Sequence, residues 1–234
     1  MMEIMDKHLI SHPTEGVNSL VLFFIARYHP VGPKRIRRLL KIMGRQTLYR
    51  RKNLTKLGLR KFIRPYLLNG LTIDRPNQVW CTDITYIPMK KGFMYLTAII
   101  DVYSRKIVGW SISNSLSAQW CKSMLEDAIA TYGAPEIINT DQGTQYTSAL
   151  WIQYLEGMKI QISMDGKGRA LDNVWIERFW KSIKYDYIFL NPADDGFELY
   201  EGVQNHIAYY NDKTHHTTRQ SPNKRYYETI KKAA

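Results

Sequence analysis

Apolar residues change their spacing at Val79. Val79–Ile87 mixes β-branched and aromatic residues, Lys90-Lys91-Gly92 supplies a turn, and Phe93–Ile100 is almost wholly apolar, as a strand buried on both faces should be. Asp101–Arg105 then turns the chain and Lys106–Ser113 predicts a third strand. The period lengthens next: Cys121, Met124, Ala128 and Tyr132 recur at three- and four-residue steps, predicting a helix over 118–132 that Ser117 caps and Gly133 and Pro135 end. A short strand at 136–140, a helix over 148–157 capped by Thr147, and a strand at 159–163 follow. Gly166 and Gly168 mark a loop before a long helix over 172–188, and another helix is expected over 195–211. Three strands joined by tight turns, then alternating helices and strands, fit a layered α/β sheet.

Before Val79 the pattern is helical and short. Leu20, Phe23, Phe24 and Arg27 fall on one face, until His29-Pro30-Val31-Gly32-Pro33 breaks it. A second helix runs from Lys34 to about Ile42. Ile36, Leu39, Leu40 and Met43 form its apolar stripe, Lys34, Arg35, Arg37, Arg38 and Lys41 its basic surface, and Gly44 its end. Two short helices around a Gly/Pro turn, the second basic, are compatible with helix-turn-helix DNA binding, though any small basic helical pair would look the same. The polar, basic and poorly periodic residues after it read as a linker. The expected organisation is therefore a small helical segment over 1–52, a basic linker over 53–74 and a main α/β domain over 75–234.

Charge sharpens this division. The net charge of the 234-residue chain is +12. Residues 1–70 carry 15 Lys/Arg against 3 Asp/Glu, whereas residues 71–234 carry 18 against 18. A basic head on a balanced body suggests a polyanion-binding module joined to something else. The apolar run Leu20–Ala26 is far short of the roughly 20 residues a membrane span needs, and no signal-peptide cleavage site is visible, so an intracellular chain without membrane association is expected. Cys81 and Cys121 form no C-x-x-C pair, which argues against a thiolate zinc site and for free thiols.

Three acidic residues occupy settings that suit metal-assisted phosphoryl transfer, where carboxylates on rigid elements must meet in space. Asp83 lies inside an apolar strand, which is costly without a partner or cation. Asp141 directly follows a strand, at the end where α/β sheets place their sites. Glu177 lies on the long helix, beside the apolar stripe Ile176, Trp180, Ile183 and Tyr187, and in line with Lys181 and Lys184. Each alone has a plain structural reading; the trio carries the weight. Asp101 reads as a cap for its own loop, and Asp172 as a helix N-cap.

With the trio placed, R-P-N-Q-V-W-C-T-D-I-T-Y at 75–86, I-I-D-V-Y-S-R-K-I-V-G-W at 99–110, N-T-D-Q-G-T-Q-Y-T-S at 139–148 and the run S-M-D-G-K-G-R-A-L-D-N-V-W-I-E-R-F-W-K-S-I-K at 163–184 become recognisable. The chain resembles the integrase-type transposases of bacterial insertion sequences, most closely the second-frame product of the IS-three family. The 35 residues between Asp141 and Glu177, and the basic Lys184 seven beyond the glutamate, belong to the pattern. The resemblance implies an RNase H-like core with a five-stranded mixed sheet flanked by helices, preceded by the small helical basic domain. It implies that Asp83, Asp141 and Glu177 hold two Mg²⁺ ions, for which Mn²⁺ can substitute, and that the protein cuts DNA and joins a 3′-hydroxyl to another strand. It further implies a homo-oligomer on DNA in the bacterial cytoplasm, at the nucleoid, and an upstream-frame partner that supplies the terminal-repeat-binding helix-turn-helix.

Several groups keep two readings. Lys167 and Arg169, just before the catalytic helix, fit a flap on DNA or a solvated loop; Gln145 and Tyr146 fit DNA contact, with core packing equally open for Tyr146. Gly143 fits either a close approach to phosphate, a positive φ, or a plain turn. Trp175 and Trp180 read as core, with stacking a lesser option for Trp175. The run Asn211-Asp212-Lys213-Thr214-His215-His216 has Thr where the family commonly has Pro, and His215 and His216 read as a solvated pair. A catalytically silent DNA-binding or regulatory product, or a nuclease without strand joining, would share many of these features.

Overall fold

The computed structural model describes residues 1–13, 15–45, 62–166 and 173–233, which form two units, one ending at residue 45 and one beginning at residue 62. The first consists of α1 (Met2–Ser11), α2 (Val17–Arg27) and α3 (Pro33–Ile42). Met5, Leu9, Leu20, Phe24, Val31, Ile36 and Leu40 make its core, and Pro33, with φ already set for a helix, opens α3. The helix α1 was not expected. It buries only Met5 and Leu9, one turn apart, which is too little periodicity to register in the sequence. Gly44 ends the unit's last helix at φ +64°, as expected.

The second unit is a five-stranded sheet in the order β3-β2-β1-β4-β5. Its strands are β1 (Val79–Pro88), β2 (Phe93–Asp101), β3 (Ile107–Ser113), β4 (Ile137–Thr140) and β5 (Gln161–Met164). β1 to β3 form an antiparallel meander, while β1–β4 and β4–β5 are parallel. Strands alternate side chains between faces, so one sheet builds two cores. Val79, Cys81, Leu96 and Ala98 meet α6 (Val174–Ile183) and α7 (Gly196–Asp212). Trp80, Ile99, Val108 and Ile138 meet α4 (Ala118–Tyr132) and α5 (Ala149–Gly157). Cys81 and Cys121 are buried, unpaired thiols. No helix among the described residues is long and apolar enough to cross a membrane.

Four expectations are revised. The helix at 149–157 is capped by Ser148, whose Oγ accepts from Trp151 N–H, because the Thr147 hydroxyl already donates to the Gly143 carbonyl. The long helix begins at Val174 and its last five residues, Lys184–Ile188, form a π-helical turn; Asp172, expected as its cap, lies outside the described residues. The tail holds a further helix, α8 (Pro222–Ala233). It is anchored by the buried Tyr226, whose hydroxyl donates to Asn77 Oδ1, and by Lys106, whose ammonium donates to Asn223 and lies over the rings of Tyr132, Tyr226 and Tyr227. Finally, of the segment expected as a linker, residues 62–74 lie against the sheet unit: Leu68 is buried in its core, Leu67 N–H donates to Ser163 Oγ, and the Pro65 carbonyl accepts from Met164 N–H.

Asp101 is the buried knot of the β2–β3 turn, as its position suggested. Its Oδ1 accepts from the backbone N–H and hydroxyl of Ser104, and its Oδ2 from Asn77 N–H at 2.8 Å. Burial holds its carboxyl above the usual range despite these donors. Asp101→Ala would strand several buried donors, so a loss of about 3 kcal/mol of stability is expected in reversible denaturation, since each orphaned group costs about 1–3 kcal/mol.

Candidate active site

The two aspartates are brought together by strand register. β1 pairs with β4 through Val79↔Ile137, Trp80↔Ile138 and Cys81↔Asn139. Extending that parallel register by two residues sets Asp141 beside Asp83. β4 stops at Thr140 while β1 continues to Pro88, so the outer half of β1 has no neighbour on that side and a cleft opens. Asp83, Asp141 and Gln145 line it, together with Ile84, Tyr86, Tyr95, Leu116 and Tyr146.

Each aspartate is held by a neighbour. Trp180, on α6, donates its indole N–H to Asp83 Oδ2 at 2.9 Å. Burial pushes the Asp83 carboxyl up to about 6; the indole opposes this, while the charges of Asp141 and Glu177 add to it. Asp141 keeps an exposed edge, yet lost solvation at the cleft raises its carboxyl as well, against the hydrogen bond from Gly143 N–H. That bond, 2.9 Å to Oδ1, explains Gly143: a Cβ there would lie 2.8 Å from the same oxygen. Gly143 serves a close approach to Asp141 rather than a positive φ. Glu177 stands exposed on α6, one turn before Trp180 and Lys181, and its charge reaches Asp83. Lys184 folds inward, donating to Thr85 Oγ1 at 2.6 Å; burial lowers its pKa, and Asp83 pulls it back up. Lys181 is exposed.

Sequence reasoning did not identify Trp180 as a partner of Asp83, nor Thr85, Tyr86, Tyr95 and Leu116 as neighbours of the carboxylates. Tyr146 takes the core-packing reading, being fully buried against Trp151, and it also borders the cleft. A fourth carboxylate, Asp165, follows β5 at the equivalent register, but its Oδ1 accepts from Asn139 Nδ2 at 2.7 Å and so ties two strand ends together. Trp175 is half-buried under the Arg105 guanidinium. His215 is not a solvated residue: it donates from Nε2 to the Tyr210 carbonyl and packs edge-on against that ring, whereas His216 is exposed. Lys167 and Arg169 lie outside the described residues. Lys34, Arg35, Arg37 and Arg38 are exposed on α3 in the other unit, and none has an acidic partner among the described residues.

The donor set of the cleft is oxygen only, which suits a hard divalent cation. Among the described residues, three ligand atoms within 4.8 Å of one another occur only at His8, His12 and Glu15; the oxygens of Asp83, Asp141 and Glu177 span a wider gap.

Comparisons with known proteins identify the fold and the family. An integrase core domain model matches residues 73–170, and a second integrase core domain model matches residues 158–221. The fold is similar to the HTLV-2 integrase catalytic core domain, solved in complex with magnesium, with a TM-score of 0.55 at 20% identity over 65% of this chain and 97% of that one. Sheet order, helix placement and core model together define a DDE-type polynucleotidyl transferase on an RNase H-like fold. The chain is 36% identical over 194 residues to the transposase for insertion sequence element IS904 of Lactococcus lactis, covering 79% of this chain and 75% of that protein. It is 35% identical over 153 residues to transposase InsF for insertion sequence IS3A of Escherichia coli, covering 59% of this chain and 53% of that protein. The chain belongs to the family of insertion-sequence transposases with an integrase core. It spans three quarters of the IS904 transposase and about half of InsF.

The raised Asp83 carboxyl has a stability consequence whose sign is fixed. Its folded pKa lies above its unfolded value near 3.8, so ionising it costs the folded state nothing below pH 3.8 and the full amount above about 6. Asp83→Asn keeps an acceptor for Trp180 and removes that cost. In chelator it is expected to be more stable than the parent by up to about 3 kcal/mol above pH 6, with the gain vanishing near pH 4; denaturation curves across this range measure it.

Proposed function

We propose that this chain cuts DNA strands at the ends of its element and joins the freed 3′-hydroxyls to target DNA, with Asp83, Asp141 and Glu177 as the metal-holding carboxylates. The observation that carries the reading is the meeting of Asp83 and Asp141 across the β1–β4 register, with the charge of Glu177 felt at Asp83. Two Mg²⁺ ions, or Mn²⁺ in their place, would activate the attacking oxygen and neutralise the leaving one. The chain's own groups do the rest. Trp180 and Gly143 hold the two aspartates in fixed orientation, and burial makes the Asp83 carboxylate costly unless a cation offsets its charge. Lys184 and Lys181 follow Glu177 along α6 and supply positive charge for the phosphate backbone.

The segment over 1–52 is assigned to DNA binding, the core over 75–234 to chemistry, and Lys167, Arg169 and Gln145 to contact with the DNA held at the cleft. Joining two element ends calls for a homo-oligomer on DNA, acting at the chromosome in the cytoplasm, and an upstream-frame partner would complete end recognition.

Strand transfer tests the assignment. Purified chain is incubated with labelled element-end duplexes and Mg²⁺, Mn²⁺ or chelator. Metal-dependent joining that falls to background in Glu177→Gln and Asp83→Asn is expected; joining that persists in either variant removes that residue from the site, and end binding without joining under any metal would point to a silent regulator. A separate outcome concerns α3. Replacing Arg37 and Arg38 with Ala should weaken binding similarly across DNA sequences and flatten the log–log salt slope by about 2, as each lost phosphate contact removes about 0.9.

A further inference from the structure

Beside the carboxylates the surface changes character. Tyr86 and Tyr95 are cross-strand partners on β1 and β2, with ring centroids 4.9 Å apart, and Phe93 lies 5.4 Å from each. The rings are mutually tilted by 57° to 81°, so they cannot bury their faces in one another. Tyr86 is 57% exposed and Phe93 51% exposed, and none of the three belongs to either sheet core. An aromatic pair across a hairpin does stabilise it, by about 0.2–1 kcal/mol, but that role does not require a third ring or open faces. Clustered exposed apolar surface usually marks a binding site.

What binds there follows from position and charge. Tyr86 and Tyr95 line the same cleft as Asp83 and Asp141. Two strand residues separate Asp83 from Tyr86, a rise of about 10 Å along β1, so a strand held at the carboxylates brings its neighbouring bases within reach of the rings. Apart from the two aspartates, the cleft is walled by Ile84, Tyr86, Leu116, Gln145, Tyr146 and Tyr95, which carry no positive charge for a phosphate. A flat, neutral nucleobase fits them: rings to stack on and the Gln145 amide for a base edge.

Resting on the catalytic reading above, we propose that Tyr86, Phe93 and Tyr95 form a stacking platform that captures an unpaired base of the strand being cut, next to the scissile phosphate. The duplex is opened locally at the cleavage point, and the aromatic surface replaces the stacking that the base loses. The open outer half of β1, left without a β4 neighbour, gives the strand its way in.

The experiment is photocrosslinking with the full chain carrying Glu177→Gln, so that capture is read without cleavage. One element-end duplex carries 5-iododeoxyuridine at the nucleotide adjoining the scissile phosphate; a second carries it well inside the duplex. Near-ultraviolet light links the iodinated base to a stacked aromatic side chain, and peptide mass spectrometry finds the position. Cross-links to Tyr86, Phe93 or Tyr95 are expected from the first duplex only, roughly 5- to 100-fold weaker in Tyr86→Leu given the usual worth of a base–aromatic stack, and restored in Tyr86→Trp. Phe93→Leu provides a second variant, and thermal melting shows whether each variant is folded. Cross-links that map elsewhere, are equal from both duplexes, are unchanged in the folded Leu variants, or are missing altogether would overturn the platform. The catalytic reading fails separately, through wild-type chain that joins no strands in Mg²⁺.

Discussion

Much of this protein depends on a mismatch in length between two neighbouring strands. β1 runs for ten residues and its parallel partner β4 for only four. Where β4 ends, the sheet can no longer satisfy or cover the outer half of β1, and the chain turns away at Asp141. The same break places Asp141 beside Asp83, admits solvent to both, and leaves Tyr86 exposed at the rim. Had β4 continued, its next residues would have paired with β1 and closed the cleft.

The cleft carries an energetic cost that the surrounding fold must meet. A carboxylate inside a β-strand, walled by helices, resists ionisation, and Asp83 is raised to about 6, chiefly by burial, with its acidic neighbours contributing. The Trp180 indole and the Ile84 backbone oppose this with hydrogen bonds. The two apolar layers on either side of the sheet, with the buried Asp101 knot at its turn, supply the stability against which such a site can be maintained. Asp83 thus costs the fold stability, the relation expected of a carboxylate in the proposed site.

Backbone conformations support the same design locally. Gly143 gives up its side chain so that its own N–H can reach Asp141, and Ser148 rather than Thr147 caps α5 because Thr147 closes the turn that follows the aspartate. Lys184 sits where α6 passes into a π-helical turn and reaches Thr85 on β1, tying the helix that bears Glu177 to the strand that bears Asp83. Strand, turn and helix are thus coupled by short polar links around the cleft.

Local signals in the sequence were enough for the strand and helix order from Val79 to Asp212, for the Asp101 turn cap and for the settings of Asp83, Asp141 and Glu177, because each depends on periodicity, capping chemistry or an acid in an apolar strand. The partners of these residues were not legible. Trp180 meets Asp83 across 97 residues, and Tyr226 meets Asn77 across 149, so no window of sequence holds both members of either pair. For the same reason α8 read as a polar tail: its anchors, the buried Tyr226 and the Asn223–Lys106 bond, engage distant parts of the chain. The exposed face of Tyr86 and Phe93 was also invisible, since aromatic residues in a strand signal burial until the neighbouring strand is known to stop short. The sequence by itself determined which elements form and which residues have chemistry to offer; the tertiary structure decided which of them face one another, because strand register and helix docking bring together residues that no local pattern links.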